Sequence, residues 1–287
     1  AQLAIIVVIV LANVKGAPGT LNVLQYSIAV QALTYAFLIS PLFRNMTLVS
    51  RKTGGERSEE SANALGASAQ RARLGRGVGD AIRVLAATAT IGAGLLIASA
   101  RTVEYLFAAI DVGDVSGMAG AVTWLAPGLV AFALAAQLSR ILIRVGRSKA
   151  VASATAIGAV IVVASAAVLV TIVPTGEGPA TLRGLALSMS IGLFAVAAFL
   201  LHGAQIALGP NAVAGLNQTL TVTGGSVVFA AAAGRILAER ILGGSPAVGT
   251  AIVAGSAAWI VVLAISLVAL RIGDPFVSHT LLRSNWR

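Results

Sequence analysis

The sequence predicts an all-α, polytopic helical membrane protein with about eight transmembrane helices. Three observations predict it. The 287 residues are 57% hydrophobic, with a mean hydropathy of +0.93, and only 10% are charged; a soluble globular chain carries about 25% charged residues. The apolar runs are continuous and roughly 20 residues long, enough to cross about 30 Å of hydrocarbon as helix, and they lack the alternation of an outer-membrane barrel strand. The acidic residues fall between those runs or at their edges, where a charge costs least. An ordinary soluble chain and a disordered one are both excluded.

The apolar spans run over 1–14, 20–43, 81–101, 118–143, 150–173, 182–208, 216–238 and 248–271. All but the first have the length to span a bilayer at 1.5 Å per residue. The chain opens inside an apolar run, without an initiator Met, a basic leader or a small-residue cleavage site. The expectation is that further helices precede it. Between the second and third spans, 45–80 is rich in Gly, Ser, Glu and Arg and reads as a flexible loop. Its end differs, because Arg73, Arg76, Asp80 and Arg83 recur every three to four residues. That spacing puts charge along one side of a short helix leading into the third span.

The net charge of +10 is a topology signal first. If loop 44–83 is cytoplasmic, then 139–149, 203–217 and the tail from 271 share its side, and fifteen of the 20 Lys and Arg lie there. The positive-inside rule then makes that side cytoplasmic, and nucleic acid is not the expected partner. Cysteine is absent, and His202 and His279 have no carboxylate cluster near them. No metal, no cofactor and no enzymatic nucleophile–base set is expected.

Polar residues within the spans are the remaining candidates. The second span carries Asn22, Gln25 and Tyr26, then Gln31, Thr34 and Tyr35. The two clusters lie nine residues apart, so they point in opposite directions on a straight helix. Either could form interhelical hydrogen bonds or line a cavity for a polar head group. Lys15 and Arg235 are the cations nearest such a cavity; Arg235 also has Glu239 as an i,i+4 partner. Pro127-Gly128 marks a kink in the fourth span. Gly184, Ser188 and Gly192 in the sixth allow close helix approach, and the seventh is polar from Gln218 to Ser226. Gly75-Arg76-Gly77-Val78-Gly79 has no preceding strand and fails as a nucleotide loop. The triplets at Asn45 and Asn217 fall at the cytoplasmic edge and fail as glycosylation sites.

Over about 78–149 the chain resembles the MurJ/MviN family of lipid II flippases, in the MOP exporter superfamily. The stretches that carry this are Asp80 through Phe107 with its "RTVEYLF" ending, Leu125-Ala126-Pro127-Gly128-Leu129, and Ser139-Arg140 followed by Gly146-Arg147-Ser148-Lys149. Ser40-Pro41-Leu42-Phe43-Arg44 adds a looser likeness. The resemblance implies a six-helix lobe over 1–209 (with loop 44–80), two additional helices over 210–271, and a cytoplasmic tail over 272–287. It also implies a partner lobe upstream in the same chain. The implied function is flipping of a polyprenyl-diphosphate-linked sugar such as lipid II across the plasma membrane by alternating access. The head group would sit near Lys15, Asn22, Gln25, Tyr26, Gln31 and Arg235, and the polyprenyl tail would lie in a groove of the last two helices. Membrane lipids and cell-wall synthesis proteins are the other implied partners. The family's Arg after the Tyr of the corresponding second span is absent, since Ser27, Ile28 and Ala29 follow Tyr26. The fifth span also lacks Asp, Asn, Glu and Gln. Two alternatives follow: a polysaccharide or drug exporter of the same superfamily, and a non-transporting scaffold.

Overall fold

The computed structural model describes residues 2–40, 67–110, 114–243 and 248–284. Among them it contains helices and no strand. The elements are α1 (Gln2–Lys15), α2 (Thr20–Thr34, continued by a π-helical turn Tyr35–Ile39), α3 (Ala67–Ala109), α4 (Met118–Arg144), α5 (Ser148–Thr171), α6 (Gly178–Leu208), α7 (Leu216–Leu242), α8 (Val248–Gly273) and α9 (Pro275–Ser284). A 3₁₀ turn, Pro210–Val213, joins α6 to α7. Seven of these helices, α2 to α8, are long and apolar enough to cross a membrane. The eighth apolar span is α1, which with 14 residues is too short to do so alone.

The central element is α3. Between Val84 and Leu96 every residue is buried, the pattern of a helix apolar all round. Its two faces serve two different cores. Ile82, Leu85, Ala89, Ala93 and Leu96 join one cluster with α1, α2, α4, α5 and α6. Val84, Ala87, Ile91, Leu95 and Ala98 join another with α7, α8 and α9. Gly92 and Gly94, two residues and about 200° apart, show the division. A Cβ on Gly92 would meet Leu129, Leu38 and Thr34, and one on Gly94 would meet Val227 and Val262.

At 43 residues, α3 is about 64 Å long, so its first turns project beyond the hydrocarbon. The short helix expected over 73–83 is observed as part of α3, and the structure extends it back to Ala67, into the expected loop. Gly75 and Gly79 lie one turn apart on its face. A Cβ on either would come within 2.8 Å of the Leu208 carbonyl or 2.6 Å of the Asn211 carbonyl. The glycine run that fails as a nucleotide loop is thus a seat for the α6–α7 connection, and that packing holds a polar segment helical. Residues 41–66, including Asn45 and most of the expected loop, lie outside the described residues.

Contacts between turns sort the molecule into two ends. Arg83 on α3 meets Thr219 and Asp274, and Leu142 near the end of α4 lies against Gly203 of α6. At the opposite end, Gly176 N–H donates to the Lys15 carbonyl at 2.9 Å and Gly117 lies against Pro179. This is the partition of loops that the charge asymmetry requires, and the end holding Arg83 is called the basic end below. α5 and α6 also approach closely where they cross, at Gly158 and Gly192.

Candidate functional site

The expected site residues do not converge on one point. Lys15 ends α1 at the non-basic end, where its Nζ donates to Thr175 Oγ1 at 3.4 Å. Asn22 and Gln25 are exposed on α2, and Tyr26 is half-buried, with its ring 5.5 Å from that of Phe107. The outward face of α2 continues through Ala29, Ala32, Leu33, Ala36 and Phe37, all exposed, at helical spacing. Arg235 is on α7, across α3 from α2. Its Nε donates to Glu239 Oε1 at 3.1 Å, and Arg101 of α3 approaches the same carboxylate at 4.0 Å.

Gln31 points the other way, as the nine-residue offset requires. Its Nε2 donates to the Leu125 carbonyl of α4 at 2.7 Å. From α6, Ser190 Oγ donates to the neighbouring Trp124 carbonyl, also at 2.7 Å. Both bonds fall in the turn before Pro127. The N–H that Pro127 lacks would have gone to the Thr123 carbonyl, so Leu125 and Trp124 accept these side chains beside their own helical partners, the N–H groups of Leu129 and Gly128. Gly128 makes room for this, because a Cβ there would lie 2.7 Å from Ser190 Oγ. Pro127 and Gly128 are therefore a docking point for α2 and α6. Gln31→Leu is expected to lower stability by about 0.6–2 kcal/mol, the worth of an interhelical hydrogen bond in a membrane. A melting curve in detergent identical to that of the unaltered chain would remove Gln31 from this role.

At the non-basic end, three turns enclose an open cavity of about 500 Å³ lined by Thr20, Asp114, Ser116, Glu177 and Arg183, among others. Gly19, Gly117 and Gly176 shape it with positive φ of 89°, 87° and 94°. Each stands just before a helix, where a left-handed residue lets the chain reverse. Glu104 of α3 accepts the Ala119 N–H at 2.7 Å and so caps α4 from a different helix. The Asp114 carboxyl is held below its usual range by the Ser116 backbone N–H, 2.9 Å away, and then by the Ser116 hydroxyl.

The densest polar cluster is one that reading the spans singly does not reveal. At the basic end, Arg83 Nη2 donates to both oxygens of Asp274 at 2.9 Å, and its Nε donates to Thr219 Oγ1 at 3.1 Å. Thr219 Oγ1 in turn donates to Asp274 Oδ2 at 2.6 Å. The Asp274 side chain is 2% exposed and that of Arg83 18%. The guanidinium lies 5.2 Å from the centre of the Phe276 ring. Opposite it stands Gly215, with φ of 75°, where a Cβ would lie 2.9 Å from the Arg83 guanidinium carbon. Asp274 also accepts the Val277 N–H at 3.3 Å, which makes it the N-cap of α9. One ion pair thus ties α3, α7 and the α8–α9 corner together. Asp274 followed by Pro275 was its only local sign, the signature of a helix start.

No family model, no curated protein and no solved structure matches this chain.

Proposed function

We propose that the chain is the membrane part of a flippase for polyprenyl-diphosphate-linked sugars, with the outward face of α2 forming one wall of the head-group path. The observation that carries this reading is a mismatch in α2. It is the least hydropathic of the seven spanning helices and shares with α5 the lowest burial. The comparison with α5 decides what that means. α5 is just as open but strongly apolar, as a lipid-facing helix must be. α2 presents Asn22, Gln25, Ala29, Ala32 and Ala36 instead, with Leu33 and Phe37 as the large apolar side chains of this face towards its far end. Uncompensated amides are costly in hydrocarbon, so this face is suited to water or to a second protein lobe.

The substrate class rests on the resemblance of 78–149 to the lipid II flippases. In this scheme the sugar head group passes along α2 between this bundle and an opposing lobe. The polyprenyl tail stays in lipid or against α7 and α8, which pack as a pair on the far face of α3. Rocking of one lobe against the other exposes the path to each side in turn. Lys15 is a cation on the α2 side that meets the diphosphate, with Arg183 also at that end beside Thr20, while Arg235 is held by Glu239. The positive-inside rule makes the basic end cytoplasmic, in a plasma membrane.

These 287 residues hold no cysteine, so a cysteine placed among them is a single probe in this stretch. In cells, Gln25→Cys and Ala29→Cys are expected to react with a membrane-impermeant maleimide, and Val160→Cys on the α5 lipid face is not. Equal inertness of all three would mean that α2 faces lipid and would end the proposal. Depletion of the full-length protein then separates the substrates. Accumulated lipid II supports the flippase, and another accumulated lipid-linked sugar points to an exporter. A growth defect with no accumulation points to a scaffold for cell-wall synthesis proteins.

A further inference from the structure

We propose that the α4–α5 turn is a binding surface for the phosphate head groups of anionic phospholipids. Within ten residues it carries Arg140, Arg144, Arg147 and Lys149, and no Asp or Glu occurs between Val115 and Gly176. All four cations are exposed. Among the described residues no carboxylate pairs with Arg144, Arg147 or Lys149. Of the described carboxylates at this end, Asp274 is taken by Arg83 and Asp80 lies on α3.

The turn is rigid and sits at the right depth. Gly146, with φ of 76°, ends α4 in a Schellman motif: Gly146 N–H donates to the Ile143 carbonyl at 3.0 Å and Arg147 N–H to the Leu142 carbonyl at 2.8 Å. Leu142 is fully buried and anchors the motif, while Ile143 and Val145 are 55% and 47% exposed beside the cations. α4 and α5 are both long enough to span, so their shared turn lies at head-group level. Apolar side chains that dip into the acyl boundary, beside cations at the phosphates, match an anionic lipid surface in both halves of its chemistry. This inference does not depend on the transported substrate.

The test uses the full chain, purified in detergent, with retained lipid counted by native mass spectrometry during titration with phosphatidylglycerol or phosphatidylcholine. The unaltered chain is expected to prefer phosphatidylglycerol, with the preference falling as salt rises. Each cation removed should weaken phosphatidylglycerol binding about fivefold, and Arg144→Gln/Arg147→Gln/Lys149→Gln together roughly a hundredfold. Arg101→Gln at the other end should leave the preference intact. If the triple variant does not fold, the single Lys149→Gln carries the fivefold expectation. Equal retention of the two lipids by the unaltered chain, or an unchanged preference in the variants, would overturn the proposal. So would complete displacement of the lipid by millimolar inorganic phosphate, which would mark a site for free anions.

Discussion

Replacing Asp274 by Ala is expected to destabilise the protein by about 3–5 kcal/mol, the cost of leaving a buried charge without its partner. The Arg83 side chain is only 18% exposed, so water cannot stand in for the carboxylate. Thr219 loses the shorter of its two acceptors, keeping the Gly215 carbonyl at 3.2 Å, and α9 loses its cap. In thermal unfolding in detergent, this corresponds to a fall in Tm on the order of 10 °C for a domain of this size. The double variant Arg83→Met/Asp274→Ala should recover most of the loss, because the unpaired charge is gone and the aliphatic stem is kept. A single variant that melts within a degree of the unaltered chain would show that the pair contributes nothing. A double variant no better than Asp274→Ala would show that the cap on α9, not the charge, is what matters.

The sequence reveals the parts of this molecule that depend on neighbours along the chain. Hydropathy places α5 at 150–173 against the observed Ser148–Thr171, because lipid demands apolar length whatever the helix packs on. The opposite facing of Asn22 and Gln31 follows from arithmetic on one helix and is what the structure shows. The close approach expected of Gly184, Ser188 and Gly192 is likewise observed, on α5. What stays hidden depends on a partner far away in sequence. Arg83 and Asp274 are 191 residues apart, and nothing in either segment points to the other. Composition makes 45–80 look like a loop and only the charge spacing from Arg73 to Arg83 reads as helix, since a helix that leaves the membrane and packs on backbone carbonyls needs no apolar stripe. Its mark is Gly75 and Gly79, whose meaning emerges only beside Leu208 and Asn211. Gln31 is a similar case, since no local pattern shows that its amide meets a backbone carbonyl 94 residues away.

A clear packing effect is expected at the α5–α6 crossing. At Gly158 a Cβ would lie 2.1 Å from Val196 Cγ2 and 3.2 Å from the Gly192 carbonyl. At Gly192 it would lie 2.1 Å from Val162 Cγ2 and 3.0 Å from the Gly158 carbonyl. A valine can turn away, but a carbonyl fixed in the helix ladder cannot, so the two helices must give by a few tenths of an ångström. Each Gly→Ala change should cost about 1–3 kcal/mol, as overpacking does. Because both positions share one contact, the double variant should cost less than the sum of the two. Gly77 and Gly224 are the controls. Both are helical, with nothing within 4 Å of the Cβ position, so Ala there should be neutral or stabilising by up to about 1 kcal/mol through helix propensity. Melting temperatures of the four single variants separate the two effects. A uniform response at all four sites would mean that backbone propensity decides and that α5 and α6 are not held at contact distance. Losses confined to Gly158 and Gly192 would locate the seam on which the open, apolar face of α5 is mounted.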